Sequence, residues 1–294
     1  MDESGQRVRT PDGRTLRIEL WGAPGAAPVL YLHGTPGCRL PFPTDVLDAV
    51  GARVRLVSFD RAGYGGSDRL PGRSVSDVAA DVATVAAALR IDRLPVIGYS
   101  GGGPHALACA ALLPELVPAA ASVAGVAPFG AAGLDWLAGM AAMNVAEFGA
   151  AVQSDQELAA MIGPAARQIV DEPGSFIDDL VAELPAPDVA VLARAAVRTW
   201  LVDSTVVALR PGGAGWVDDD LAFVRPWGFD VGTIGVPTAL WHGAEDNLVP
   251  PSHAAWLAGA IPGAAHRQVP DTGHLGMLDH HADAIAWLLS RSPR

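Results

Sequence analysis

The feature that most constrains this chain is a series of short apolar runs that alternate with helix-like segments. Each run has the length of a buried strand. Short buried strands alternating with helices indicate an α/β fold, in which a mostly parallel sheet is covered by helices on both faces. The predicted strands span 28–33, 53–60, 94–99, 119–127, 237–242 and 265–270, and the predicted helices span 74–90, 104–113, 250–260 and 275–290. A β-hairpin over 7–22, turning at Pro11-Asp12-Gly13, precedes them.

The alternating pattern stops between residues 129 and 228. This segment has helical periodicity, is interrupted by Gly163-Pro164 and several other Gly and Pro residues, and contains no apolar β-branched run of the buried-strand type. We therefore predict an α/β core made of 1–128 and 229–294, with an inserted helical cap over 129–228.

Charge and composition exclude several classes of function. The formal net charge of -12 argues against nucleic acid and anionic lipid as partners. All 20 basic residues are Arg, so lysine-linked pyridoxal phosphate, Schiff-base catalysis and a Walker-type lysine are impossible. The first residues lack the pattern of a signal peptide, and Cys38 and Cys109 have neither CxxC nor zinc-ligand spacing. We expect a cytoplasmic protein with reduced cysteines.

A nucleophile motif lies at the end of the third predicted strand of the repeated pattern. Gly98-Tyr99-Ser100-Gly101-Gly102 matches Gly-x-Ser-x-Gly, and it follows a strand and opens a helix, as a nucleophile elbow requires. Glycines two residues before and after the serine leave room for the sharp turn. The overlapping dinucleotide pattern over 101–106 is disfavoured, because it follows several strands and no carboxylate lies within 116–134. Ser100 is therefore the predicted nucleophile.

Two later loops offer a base and an acid in the chain order Ser, Asp, His. His274 follows the last predicted strand, and Asp246 follows the strand before it. Both loops should lie at the carboxyl edge of the sheet, where sites in open α/β sheets form. Glu245 is the alternative acid, although Asp246 fits the loop better. The predicted triad is Ser100, Asp246 and His274.

Five other histidines are given roles outside catalysis. His33 and His242 precede glycines at strand ends, and His105 lies one turn into the helix after the serine, where it should be packed. The adjacent His280 and His281 diverge on a helix, so they cannot share a metal ion, and we expect a solvated face there.

The oxyanion hole should use two backbone N–H groups. The first is that of Gly101, directly after the nucleophile. The second should come from His33-Gly34-Thr35-Pro36-Gly37. Pro36 has no N–H, so Gly34 or Thr35 must serve, and Thr35 is preferred.

Together these segments resemble the α/β-hydrolase superfamily, over nearly the whole chain except the cap. The resemblance is carried by His33-Gly34-Thr35-Pro36-Gly37, Phe59-Asp60-Arg61-Ala62-Gly63-Tyr64-Gly65-Gly66-Ser67-Asp68, the elbow over 98–102, Gly243-Ala244-Glu245-Asp246 and Gly273-His274. It implies two-step hydrolysis of a carboxylic ester or related acyl bond, through an acyl-enzyme and without a metal or organic cofactor. The expected partner is a small-molecule substrate. The protein is expected to be a monomer or a homodimer.

Several alternatives within this superfamily stay open. Serine at position 100 and the absence of cap tyrosines disfavour haloalkane dehalogenases and epoxide hydrolases. A prolyl-type aminopeptidase, a lactonase, a carbon–carbon bond hydrolase and a non-catalytic ligand receptor remain possible. Cap carboxylates could recognise an amino group, and some apolar cap residues should line a pocket over Ser100. The carboxylates are Glu147, Glu157 and Glu172, and the apolar residues are Trp136, Met140, Met143, Phe148, Met161, Phe176, Trp200, Trp216 and Trp227.

Overall fold

Eight strands form one sheet in the order β1-β2-β4-β3-β5-β6-β7-β8 in the computed structural model, which describes residues 6–292. The strands are β1 (Gln6–Arg9), β2 (Thr15–Trp21), β3 (Ala27–Leu32), β4 (Val54–Phe59), β5 (Val96–Tyr99), β6 (Ala120–Val123), β7 (Thr238–Gly243) and β8 (Ala265–Val269). β1 and β2 form the predicted hairpin, and β2 also pairs antiparallel with β4. All pairs from β4 to β8 along the sheet are parallel. The prediction of a mostly parallel α/β sheet is therefore confirmed.

Eleven α-helices accompany the sheet in the described part of the chain. They are α1 (Thr44–Val50), α2 (Val78–Leu89), α3 (Gly102–Leu112), α4 (Ala142–Gln153), α5 (Asp155–Asp171), α6 (Ile177–Glu183), α7 (Ala186–Leu192), α8 (Ala195–Leu209), α9 (Ala214–Val224), α10 (Ser252–Ala260) and α11 (His281–Arg291). Short 3₁₀ helices span Val75–Asp77, Val231–Thr233 and Leu275–His280. None of the helices described is long and apolar enough to cross a membrane.

Alternate residues of the central strands face two separate apolar layers. Leu30 and Leu32 of β3 pack in a core with α2, α3 and α10. Val29 and Tyr31 of the same strand face the opposite layer, which includes residues of α1 and α11. Both faces of a parallel sheet are thus covered, which is why its strands are apolar without interruption.

Several predicted boundaries were wrong for local reasons. The strand predicted over 119–127 ends at Val123, because Ala124 has a φ of 53°, which is incompatible with extended backbone. The helix predicted over 275–290 is a 3₁₀ helix followed by α11. α3 begins at Gly102 instead of Pro104. Proline is tolerated there because N–H groups in the first turn of a helix have no partner within the helix, so its missing N–H costs nothing. The seven-residue helix α1 was not predicted.

Six helices, α4 to α9, lie between β6 and β7, and we call residues 142–224 the cap. Pro164, which was expected to interrupt this segment, lies inside the continuous helix α5. The cap contains no strand among the residues described. The division into a core of 1–128 and 229–294 and a cap of 129–228 stays a prediction, and residues 1–5 and 293–294 lie outside the described part of the chain.

Candidate active site

Ser100 occupies a sharp turn between β5 and α3. Its φ is 53°, in the left-handed region that non-glycine residues rarely adopt. Its N–H donates to the Val123 carbonyl at 2.8 Å, which ties the turn to the neighbouring strand. A Cβ on Gly98 would collide with the Gly102 carbonyl, and a Cβ on Gly102 would collide with the Leu32 carbonyl. Both glycines are therefore needed for the close approach of strand and helix that presents Ser100.

His274 and Asp246 meet across two loops at the carboxyl ends of β7 and β8. His274 Nδ1 donates to Asp246 Oδ2 at 2.7 Å. The other carboxylate oxygen, Oδ1, accepts from the N–H groups of Leu248 and Val249 at 3.0 and 2.8 Å. His242 Nε2 also lies 3.2 Å from Asp246 Oδ2. The acid is thus fixed by its own loop, and the exposed neighbour Glu245 does not share these contacts.

The two groups shift each other's proton affinity. Burial acts to raise the pKa of Asp246, but the charge of His274 and hydrogen bonds from His242 and His274 outweigh it and hold that pKa at about 2. Burial acts to lower the pKa of His274, but the Asp246 carboxylate and the more distant charge of Asp188 raise it above its ordinary value. Asp246 is therefore ionised at neutral pH, and it stabilises the imidazolium of His274.

Ser100 and His274 line the same cavity of about 360 Å³ beneath the cap. The Tyr99 ring lies 5.2 Å from the His274 ring, and its hydroxyl donates to the His274 carbonyl at 3.1 Å. The structure thus brings the loops of Ser100, Asp246 and His274 to one edge of the sheet, as the sequence predicts. Among the described residues, no three His, Cys, Asp or Glu side chains are grouped as metal ligands.

Gly101 lies against the loop predicted to complete the oxyanion hole. A Cβ on Gly101 would collide with the Thr35 side chain, and a Cβ on Gly34 would lie 3.3 Å from Ser100 Cβ. The Thr35 hydroxyl donates to Asp219 Oδ2 at 2.6 Å and accepts from Arg61 at 3.0 Å. Thr35 and Gly34 are therefore both beside the serine, and the choice between them as donor stays a prediction.

A buried charge cluster, centred on Asp219 of the cap helix α9, holds that loop. Asp219 accepts from the Arg61 guanidinium, from Arg73 at 2.7 Å and from the Tyr64 hydroxyl at 2.9 Å. Burial acts to raise the pKa of Asp219, but the charges of Arg61 and Arg73 outweigh it and hold that pKa well below its ordinary value. Arg61 also donates to the His33 and Gly34 carbonyls. The cluster therefore joins cap, core and the predicted oxyanion loop.

This cluster was missed by the sequence analysis, although the sequence carries a signal for it. Three consecutive acids, 218–220, stand between apolar residues in a helical segment, and three arginines, at 61, 69 and 73, follow β4. Burying adjacent carboxylates in an apolar helix costs folding free energy unless they pair with buried cations or hydrogen-bond donors.

Four other histidines weighed from the sequence have different surroundings. His33 and His105 are buried, as expected for structural residues, and His33 Nε2 accepts from the Arg61 N–H at 3.0 Å. His242 is also buried, but its contact with Asp246 makes it part of the acid's environment. The expectation of a solvated His281 was wrong. Its ring packs 4.6 Å from that of Phe42 and its Nδ1 donates to the Met277 carbonyl, because α11 turns this side toward the sheet.

The cavity is mostly apolar, and the cap supplies much of its lining. Of the apolar residues proposed from the sequence, Met143, Phe148, Phe176, Trp200 and Trp216 line it. Trp136, Met140 and Trp227 pack in the core beneath, and Met161 is exposed.

Three cap carboxylates, Glu147, Asp179 and Asp220, also line the cavity. Trp216 donates to Glu147 at 2.8 Å, and Asp220 is buried with its Oδ2 atom unpartnered. Burial raises the pKa of the Glu147 and Asp220 carboxyls, and the negative charge of Glu147 raises that of Asp220 further. The two carboxyls share a hydrogen bond, which requires a proton on one of them.

Comparison with known proteins agrees with this fold. Residues 27–164 match the family model described as the alpha/beta hydrolase fold. The chain is 27% identical to a non-heme chloroperoxidase of Streptomyces lividans over 95% of both chains. It is 35% identical to a proline iminopeptidase of Xanthomonas citri over 114 residues, which are 35% of this chain and 34% of the relative. The esterase RhEst1 of Rhodococcus superposes with a TM-score of 0.69 at 22% identity, covering 97% of this chain and 98% of the esterase.

The parallel sheet, the serine turn and the helices inserted after β6 are those of the α/β-hydrolase fold. The family match and the relatives together support a hydrolase enzyme. The relatives differ in the activities that their names state, so they leave the substrate to be argued from the site.

Proposed function

We propose that this protein is a serine hydrolase that cleaves carboxylic esters or related acyl bonds, with Ser100 as nucleophile, His274 as base and Asp246 as orienting acid. The observation that carries the proposal is the 2.7 Å hydrogen bond from His274 to Asp246. His274 also lines the same cavity as Ser100, whose backbone is strained. A carboxylate on Nδ1 selects the tautomer whose Nε2 is free to accept a proton.

The proposed reaction has two steps. His274 takes the Ser100 proton as the hydroxyl oxygen attacks the carbonyl carbon, and Asp246 stabilises the imidazolium that forms. His274 then protonates the leaving alcohol, which leaves an acyl-enzyme. Water, deprotonated by the same imidazole, attacks the acyl carbon and releases the acid and the free serine.

The tetrahedral oxyanion would be stabilised by the N–H groups of Gly101 and Thr35. Gly101 precedes the first residue of α3, so the positive end of that helix adds to the field. Asp219 and Arg61 hold the Thr35 side chain from the other side, which preorganises the loop. Each donor of this kind contributes roughly 3–4 kcal/mol to transition-state stabilisation.

The cavity favours a small or medium apolar acyl or alcohol group. Its volume is about 360 Å³, and its lining is mostly apolar, with cap aromatics and Met143 beside three acids, Glu147, Asp179 and Asp220, and a few neutral polar side chains. We therefore expect p-nitrophenyl esters of short or medium chain to be cleaved faster than long-chain esters.

The test combines turnover and covalent labelling. A fluorophosphonate should label the wild-type protein once, and Ser100→Ala should abolish both labelling and ester turnover. Ser175→Ala removes another serine that lines the same cavity and serves as the matched control, which should retain both. His274→Ala should fold normally and lose nearly all turnover. Labelling of Ser100→Ala, or near-normal rates in His274→Ala, would refute the assignment. A folded wild-type protein that turns over no ester would support a ligand receptor instead.

A second candidate function is favoured by the acid pair Glu147–Asp220. The pair shares a hydrogen bond and lines the cavity together with a third cap acid, Asp179. An ammonium group on the acyl part of the substrate would be attracted to these acids and would neutralise the pair. This arrangement fits hydrolysis of amino-acyl esters or amides, as an aminopeptidase requires.

Matched substrates separate the two candidates. An alanyl p-nitroanilide or alanyl ester should have a higher kcat/KM than its propionyl analogue if the acid pair binds an amine. The double variant Glu147→Gln/Asp220→Asn should remove that preference while leaving the propionyl ester rate unchanged, because either acid alone could still carry the negative charge. Equal rates for both substrates in the wild type would leave simple ester hydrolysis as the function.

A further inference from the structure

A second carboxylate, supplied by the cap, lies beside the histidine loop. Asp188 belongs to α7 and is fully buried. Its Oδ2 accepts from the His274 N–H at 2.7 Å, and its Oδ1 accepts from the Gly276 N–H at 2.9 Å. The Leu275 N–H also contributes a hydrogen bond. These N–H groups belong to the start of the 3₁₀ helix that follows His274, so Asp188 caps that helix from another part of the chain.

No arginine pairs with Asp188 in the described part of the chain. Burial raises its pKa, and the N–H groups of Gly276 and Leu275 and the charge of His274 offset that effect in part. A buried carboxylate held mainly by backbone N–H groups can stabilise a nearby cation, because its negative charge is not neutralised by a side chain. The imidazolium of His274 is the cation beside it.

The loop is shaped to admit this carboxylate. A Cβ on Gly273 would collide with all the carboxyl atoms of Asp188, and a Cβ on Gly276 would lie 3.7 Å from its Oδ1. Glycine directly before the histidine therefore allows the cap to reach the backbone of the catalytic loop.

We propose that Asp188 is a positioning residue for His274: its carboxylate fixes the backbone of the histidine loop from the cap, so the base is in place only while α7 is docked. This inference rests on the proposed serine-hydrolase function. It gives the cap a second role besides lining the cavity, because cap docking and the geometry of the base become one event.

Two charged groups act on the His274 imidazole and define the expected pH dependence: Asp246 from the loop after β7 and Asp188 from α7. The neighbouring hydroxyls are neutral, since the Tyr99 hydroxyl donates to the His274 carbonyl and Ser100 lines the same cavity. His242 acts only through Asp246. Removing the charge of Asp188 while keeping Asp246 should therefore lower the pKa of the imidazole without abolishing it as a base.

The test is Asp188→Asn, measured on the best p-nitrophenyl ester found for the wild type. The single carboxamide oxygen of asparagine can replace only one carboxylate oxygen as acceptor, and its NH₂ group opposes the N–H groups on the other side. We expect kcat to fall about tenfold to a hundredfold, with KM within about twofold, because the base is displaced while the pocket persists. The acid limb of the kcat/KM profile should move to lower pH. Asp178→Asn, on the exposed side of the neighbouring helix α6, is the matched control and should behave as wild type.

A merely structural role would give a different result. Loosening of the cap alone would lower the melting temperature and raise KM, but it would leave the acid limb in place. An unchanged acid limb, or a kcat within about twofold of wild type, would overturn the proposal. If Asp188→Asn fails to fold by circular dichroism, Asp188→Glu decides. That variant keeps the charge but moves it, so it should retain the acid limb and lose kcat, and a wild-type kcat would overturn the proposal.

Failure of the function itself is distinguishable from failure of this inference. If the wild-type protein is neither labelled by a fluorophosphonate nor active on esters, the serine-hydrolase assignment fails. If the wild type is active and Asp188→Asn matches Asp178→Asn, only the role of Asp188 fails.

Discussion

Replacement of Asp219 by asparagine tests how the cap is held to the core. Asp219 is fully buried and is the shared acceptor for Arg61 and Arg73, both of which are buried. The variant leaves two guanidinium charges without their carboxylate. Breaking a buried ion pair from one side costs about 3–5 kcal/mol of unfolding free energy. At about 2–4 °C per kcal/mol, the melting temperature should fall by roughly 6–20 °C.

Asp218→Asn is the matched control, one residue earlier on the same helix. Asp218 pairs with Arg69, whose side chain is 45% exposed and can be solvated by water when the carboxylate is lost. The unfolding free energy of Asp218→Asn should therefore be less than about 1 kcal/mol below that of the wild type. Urea unfolding of wild type and both variants measures the difference. Equal losses for Asp218→Asn and Asp219→Asn would refute the argument from buried charge.

The pH dependence of the Asp219 effect has a defined sign. The pKa of Asp219 is held well below its ordinary value in the folded protein, so its contribution is fully present above the unfolded pKa of about 4. It is lost as the pH falls toward the folded pKa. The stability difference between wild type and Asp219→Asn should therefore be constant near neutral pH and shrink in acid.

Three further predictions concern the catalytic edge. Because the pKa of His274 is raised, kcat/KM should decline as the pH falls through a value above about 6.5, and a limb below that value would contradict the electrostatic argument. Asp246→Asn should keep the fold and lower kcat by about 10⁴, since the amide favours the wrong imidazole tautomer; kcat within about tenfold of wild type would assign the acid elsewhere. Gly101→Ala should lower kcat by about a hundredfold to a thousandfold, because its Cβ would collide with the Thr35 side chain and displace an oxyanion donor. Gly149→Ala, with open space around the new Cβ, is the control for that variant.

Local chemistry explains why the core and its edge could be predicted. Strand periodicity, glycines at 98 and 102 and loops directly after strands all express constraints within a few residues of chain. Parallel strands bring their carboxyl ends to one edge, so the meeting of His274 with Asp246 follows from topology. Errors such as the strand past Val123 arose where a single backbone angle, that of Ala124, ended the regular structure.

The cap was predictable only as a helical insertion. Its aromatic residues were divided between cavity and core by how six helices pack, and helical periodicity cannot specify that arrangement. The burial of His281 was decided in the same way, by the side of α11 that faces the sheet.

The sequence by itself determined the α/β architecture, the strained turn at Ser100 and the chain order of the predicted acid and base, because each depends on short-range backbone geometry. Only the tertiary structure decided that Asp188 and Asp219 reach from the cap to the loops of His274 and Thr35. Those contacts join residues 86 and 184 positions apart. The energy of such buried charges depends on partners that no local pattern specifies.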